Sequence, residues 1–166
     1  MTHGQVIQVN VSRGGVPKRP VESAQAGPLG IAGDLCANPH VHGGPQKALL
    51  LVASEVIQEL TARGYPLFHG ALGENLTTAG LDHRAWRAGQ RYRVGSEVII
   101  ELTKPRGPCR TLDVYGEQLK LDIYDDAVKA GDVSSPVWGM SGFYAAVITG
   151  GAIHAGAPVL LVDESC

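Results

Sequence analysis

The sequence predicts a mainly β fold with a few short helices, closed into a compact, barrel-like unit. Three observations predict it. Glycine occurs 22 times and proline 10 times in 166 residues, where average usage would give roughly 12 glycines. These residues are dispersed along the chain, so they mark many tight turns between short elements. The segments between them are short alternating or wholly apolar runs, and few carry a helical period. A chain of this length can bury one core, and no repeat or linker divides it, so a single domain over 1–166 is expected.

Val6-Ile7-Gln8-Val9-Asn10-Val11 alternates as an opening strand, and Arg13-Gly14-Gly15 turns it. Pro17-Lys18-Arg19-Pro20 reads as irregular or edge-like, because prolines cannot join a central ladder. Gly27 to Asp34, punctuated by glycines, reads as a loop with demanding backbone angles. Ala48-Leu49-Leu50-Leu51-Val52 is a continuous apolar run, as in a strand buried on both faces. Ser54 is expected to cap a helix over Glu55 to Arg63, with Val56, Ile57 and Leu60 inward and Gly64 as its stop. Gly73 to Thr78 reads as a polar turn. Tyr92-Arg93-Val94 and Glu97 to Thr103 read as strands separated by Gly95-Ser96. Arg110 to about Tyr115 reads as a short helix, and another is expected within Leu119 to Lys129. Phe143 to Ile148 and Pro158 to Val162 close the chain as strands, with turns at Gly150-Gly151 and Gly156. The polar glycine turns are then expected to gather at one rim and form the site.

The net charge of −2 argues against a nucleic-acid polymer as partner, since such binders usually carry a strongly basic face. The N-terminus lacks a secretory pattern and no apolar run approaches the ~18 residues of a membrane span. A cytoplasmic protein without membrane contact is expected.

Three cysteines, Cys36, Cys109 and Cys166, form no even disulfide framework and read as free thiols unless a metal takes them. Cys36 reads as a small buried hydrophobe. Cys109 is different: it follows Gly107-Pro108, with Lys104, Arg106 and Arg110 close by. A thiolate is both a nucleophile and a soft metal ligand, and nearby positive charge favours it. If Gly107 caps a helix opening at Pro108, Cys109 lies among unpaired backbone N–H groups. The segment is expected to hold an anion.

Asp34, Cys36, His40 and His42 could together ligate a first-row metal, but their spacing matches no zinc pattern. Asp34 reads rather as fixing a turn, and His42 as donating a hydrogen bond or orienting a ligand. His42-Gly43-Gly44-Pro45 could aim successive N–H groups at an anion, or be a plain tight turn. Asn75 could bind a ligand or stabilise its own turn. No P-loop, dinucleotide fingerprint, nucleophile elbow or zincin motif is present.

Taken in order, several segments resemble the MOSC family, the domain found at the C-terminus of molybdenum cofactor sulfurases. They are Gly30-Ile31-Ala32-Gly33-Asp34, His42-Gly43-Gly44-Pro45 ahead of an apolar strand, Gly73-Glu74-Asn75-Leu76-Thr77-Thr78-Ala79-Gly80-Leu81 and Arg106-Gly107-Pro108-Cys109. Ser141-Gly142-Phe143-Tyr144 and Gly150-Gly151-Ala152-Ile153-His154-Ala155-Gly156 fit as well. The resemblance runs from about Val6 to Val162 and is that of a stand-alone member. Two departures stand out: Ala145-Ala146 where relatives often carry an arginine, and Gly156-Ala157 for a frequent Gly-Asp.

The resemblance implies a β-barrel-like fold that binds the molybdenum–pterin cofactor, with Cys109 as the protein's ligand to molybdenum. It implies reduction of small N-hydroxylated compounds to amines. Arg106 is then the expected anion clamp on the cofactor, since its planar fork suits phosphate, with Lys18 as a second cation. His42, Gly43, Gly44 and Asn75 would line the pocket. No flavin, haem or iron–sulfur site is evident in the chain, so electrons are expected from a separate reductase partner. The alternative is a carrier that moves sulfur as a Cys109 persulfide. A third reading is a first-row metal hydrolase using Asp34, His40 and His42.

Overall fold

The structure is a computed structural model and describes residues 3–35 and 43–164. Cys36, His40, His42 and Cys166 lie outside the described residues. The strands among the described residues are β1 (His3–Val11), β2 (Arg19–Val21), β3 (Ser23–Gly27), β4 (Gly30–Ile31), β5 (Leu49–Ala53) and β6 (Leu76–Ala79). They continue as β7 (Arg91–Val94), β8 (Val98–Pro105), β9 (Phe143–Thr149), β10 (Gly151–His154) and β11 (Pro158–Asp163).

Side-chain alternation explains the barrel wall. In β8, Val98, Ile100 and Leu102 are buried while Ile99, Glu101 and Thr103 between them are half-buried, the period-two pattern of a sheet with one face on a core. β5 is buried at every position, as its continuous apolar run predicts. The sheet runs β11-β7-β8-β9-β5-β6-β1, and β1 pairs back to β11 through His3↔Leu160, Gly4↔Val159 and Gln5↔Pro158. Seven strands therefore close a barrel without a free edge. The proline-bounded β2 adds to β1 as an edge strand, and β10, β3 and β4 form a separate small sheet.

One neighbouring pair of the barrel, β5 and β6, is parallel. Parallel neighbours need a crossover connection, and helix α1 (Ser54–Ala62) supplies it, burying Val56, Ile57 and Leu60. At the barrel core Trp86 and Trp138 both meet Phe143 edge-on, with ring centroids 6.1 and 5.9 Å away. The Trp138 indole N–H donates to the Trp86 carbonyl at 2.9 Å.

Several local expectations need correction. Ser54 does not cap α1: it is the first helical residue, Ala53 holds the cap position, and no side chain bonds there. Leu76-Thr77-Thr78 is a fully buried strand rather than a turn, because two β-branched threonines beside a leucine suit a sheet interior. The Leu119 to Lys129 stretch holds two one-turn helices, Leu119–Asp122 and Asp126–Lys129. They are separated because Asp125 caps the second, accepting from the Val128 N–H at 2.8 Å. The segments β3, β4 and β10 were legible only as loop and turns. No helix among the described residues is long and apolar enough to cross a membrane.

Candidate functional site

Arg106 leaves the end of β8 and is locked by its backbone and its side chain together. Its N–H donates to the Gly142 carbonyl at 2.9 Å, and its Nε donates to the Ser141 carbonyl at 2.9 Å. Gly142 has φ +90°, and a Cβ there would lie 2.6 Å from the Leu51 carbonyl oxygen. Only glycine allows that approach without displacement. Arg106 is 6% exposed, yet its Nη2 has no hydrogen-bond partner. Burial pushes its pKa down, while Tyr144, Glu74 and Cys109 push it back up. A guanidinium stays charged through such shifts, so a buried cation with one unpartnered nitrogen lines the cavity.

Cys109 lies three residues on, in extended backbone, at the cap position of a 3-10 helix over Arg110–Tyr115. The expected opening at Pro108 is therefore two residues too early, although the helix at 110–115 is where the sequence puts it. The Cys109 Sγ lies 3.0 Å from the Thr111 hydroxyl oxygen. Of the three cations flanking Cys109 in sequence, only Arg106 lines the same cavity as the thiol; Lys104 and Arg110 do not.

That cavity, of about 340 Å³, is lined by Cys109, Arg106, Lys18, Gly43 and Asn75. These residues come from four separate stretches of chain, which the fold gathers at one cavity. Gly44 is adjacent, with φ +99° at the start of the 3-10 turn Pro45–Lys47, but is not among the lining residues; His42 lies outside the described residues. Lys47, Thr111 and Tyr144 also line the cavity and were missed as site residues. Tyr144 had a signal, because it ends the Ser141-Gly142-Phe143-Tyr144 segment; Lys47 had only its place behind the paired glycines.

Asn75 lines the cavity, and its side chain is also bonded within the cavity wall. Its Oδ1 accepts from the Leu50 N–H at 3.0 Å, and its Nδ2 donates to Asp34 Oδ2 at 2.9 Å. Asp34 in turn pairs with Lys18 and accepts from the Ser12 N–H at 2.9 Å. The Lys18 and Asp34 side chains are 11% and 14% exposed, so this is a nearly buried pair within a network that fixes one cavity wall. Such a network ties loops together rather than presenting Asp34 as an open ligand. Among the described residues no group of three or more His, Cys, Asp and Glu side chains is placed to hold a metal ion.

Glu74, between the lining residues Gly73 and Asn75, is a buried carboxylate that sequence reasoning passed over as part of a turn. It is fully buried, and its Oε2 accepts from the Gly70 N–H at 2.9 Å and the Thr77 hydroxyl at 2.8 Å. Its Oε1 has no partner, nor has the buried Tyr115 hydroxyl. Burial raises the Glu74 pKa, against the hydrogen bonds to its carboxylate and the nearby Arg106 charge, which lower it. The signal available was an ionisable residue directly ahead of a strand.

A closed barrel thus brings a thiol and a buried guanidinium with one unpartnered nitrogen to a single cavity. The chain belongs to the MOSC domain family: the family's model matches residues 38–160. That family is associated with the molybdenum cofactor. The chain is 36% identical over 141 residues to the protein YiiM of Escherichia coli K12, covering 82% of this chain and 58% of that protein. It is 32% identical over 154 residues to the uncharacterised protein YflK of Bacillus subtilis 168, covering 90% and 64%. A shorter match, 32% over 88 residues, reaches a Gibberella moniliformis protein named reductase, covering 51% of this chain and 16% of that protein. The crystal structure of YiiM from Geobacillus stearothermophilus superposes with a TM-score of 0.69 at 27% identity, over 97% of this chain and 76% of that one. The chain thus spans about three fifths of the length of the curated relatives YiiM and YflK.

The donor set fits a molybdenum–pterin group. A soft sulfur suits a soft-ligand metal, and the orphaned Arg106 Nη2 is a buried donor that an anionic group would satisfy.

Proposed function

We propose that the chain binds a molybdenum–pterin cofactor in the Cys109 cavity and reduces small N-hydroxylated compounds to amines. One observation carries the reading: a thiol and a buried guanidinium with an unfilled Nη2 line the same cavity. Cys109 would hold the metal through sulfur. Arg106 would hold the cofactor's phosphate with its planar fork, and Lys18 would add positive charge beside it. Gly43 and Gly44 would let backbone close on the ligand, and His42, next in sequence, would donate a hydrogen bond to it. When bound, the group would supply the two-electron chemistry that cleaves the N–O bond. Each turnover then takes up two electrons and two protons and releases the amine and water. The electrons come from a separate reductase partner.

The family's association with the molybdenum cofactor supports this reading, and the name of the Gibberella relative is consistent with it. The setting is cytoplasmic, and neither a membrane nor a nucleic-acid polymer takes part. The test is metal and pterin analysis of protein made in a host that synthesises the cofactor, wild type against Cys109→Ala. Near-stoichiometric molybdenum and pterin, with the metal lost in the variant, is expected. A folded wild-type protein containing neither would overturn the proposal.

A second reading, a persulfide carrier, is favoured by the half-buried placement of Cys109 at the cavity. A partner's sulfur atom could reach such a thiol. Intact-mass analysis separates the two readings, because a persulfide adds a cyanide-labile sulfur whereas a coordinated metal leaves on denaturation.

A further inference from the structure

A second, larger cavity of about 970 Å³ lies beside the first, and Lys47 and Tyr144 line both. Its volume is at the top of the ~300–1,000 Å³ range of small-molecule sites. Lys47, Arg87, Lys104 and Lys129 line it, and no carboxylate among the described residues does. The chain as a whole has 14 basic against 16 acidic side chains, so four cations in one groove is a local concentration against the overall balance. Neither Lys104 nor Lys129 makes an ion pair among the described residues. Asp125 and Asp126 are near enough to influence Tyr124. Neither lines the groove, and the Asp125 carboxylate accepts from the Val128 N–H and the Ser135 hydroxyl.

Two of the groove's rings, Trp138 and Tyr144, are buried beneath cations. Arg87 stacks over Trp138 at 5.6 Å, with its Nη1 held by the Arg84 and Trp86 carbonyls at 2.8 Å each. Lys47 lies 5.3 Å over the Tyr144 ring. Tyr124 is half-buried against Gly107, its hydroxyl 3.8 Å from where a Cβ would stand. Gly107 precedes Cys109 by two residues, so the groove reaches the cysteine loop.

Several cations ask for a multiply charged anion, and the half-buried Arg87 and Tyr124 side chains offer planes for a flat ring on the same molecule. We propose that this groove binds a nucleoside monophosphate moiety. Recognition of this kind uses ring stacking and point charges, so it needs none of the glycine loops the sequence lacks. The moiety could arrive as a free nucleotide or as an extension of the bound pterin. Only the second source depends on the molybdenum reading.

The experiment is calorimetric titration of the full chain as purified with adenosine 5′-monophosphate, adenosine and inorganic phosphate, repeated on K104Q/K129Q. Both lysines are exposed, and an unchanged melting temperature confirms that the variant folds. In parallel, the cofactor extracted from each protein is treated with a pyrophosphatase and any released nucleotide is quantified. If the groove takes free nucleotide, the monophosphate binds at least about tenfold tighter than adenosine, and the double variant loses that advantage. If the moiety belongs to the cofactor, nucleotide is released from wild-type extracts and falls at least about threefold in the variant. Wild-type protein that neither prefers the monophosphate nor carries a nucleotide overturns the proposal. So does a double variant that matches wild type in both measurements.

Discussion

Arg106 and Ser141 hold each other in both directions. The guanidinium Nε donates to the Ser141 carbonyl at 2.9 Å, and the Ser141 hydroxyl donates to the Arg106 carbonyl at 2.6 Å. Ser141→Ala leaves a buried carbonyl unpaired, which costs about 1–3 kcal/mol and loosens the guanidinium. The expected result is a lower urea midpoint together with reduced pterin content. Arg106→Lys keeps the charge but loses the fork, so pterin retention should fall further there than in Ser141→Ala. Equal pterin retention in wild type and Arg106→Lys would remove Arg106 from the anion site.

Cys109 is half-buried, and among the described residues its side chain is bonded only to Thr111. Cys109→Ala should therefore change stability by no more than about 0.5 kcal/mol while abolishing metal content and turnover. Denaturant titration beside molybdenum analysis checks both halves of the statement. A large loss of stability would make the cysteine a structural residue first.

Glu74 sets a pH dependence with a definite sign. Burial raises its folded pKa, whereas an unfolded glutamate titrates near about 4.3. Between those values the folded state binds more protons than the unfolded state, so stability falls as pH rises through the window. The contribution is fully present below the unfolded value and is lost as pH passes the folded one. Glu74→Gln removes the titration while keeping an oxygen for Gly70 and Thr77. The urea midpoint of Glu74→Gln relative to wild type should therefore be higher at pH 8 than at pH 5. A pH-independent difference would show that the ionised carboxylate is not a burden.

Asn75→Ala strips the buried Leu50 N–H of its side-chain acceptor and Asp34 of a donor. The expected cost is about 2–4 kcal/mol, from two groups at about 1–3 kcal/mol each with partial relaxation. Asn75→Asp should be worse, because it sets a second carboxylate against Asp34. Chemical denaturation of the pair gives the ranking, and the reverse order would mean that Lys18 can neutralise both acids.

The barrel was legible because its strands carry local signals: alternation in β8, an unbroken apolar run in β5, glycines at the turns. The Thr77-Thr78 strand and the small β10-β3-β4 sheet were not. Their residues are polar or small, and only long-range pairing makes them strands. At the site, Cys109 and Arg106 stand out in sequence because they are three residues apart. The Asn75–Asp34–Lys18 network could not be read that way, since its members meet only after folding. Ser54 misled because a serine ahead of a helical period usually caps it, whereas here the chain enters the helix straight from β5.

The bond from Asn75 to Asp34 joins residues 41 apart, and the one from Arg106 to Ser141 joins residues 35 apart. Contacts of that span wait on chain closure. The cavity therefore exists only where distant parts of the chain have met, and the unfolded chain offers a ligand no such site. A ligand that fits the cavity would bind the folded state alone and so would protect it against unfolding.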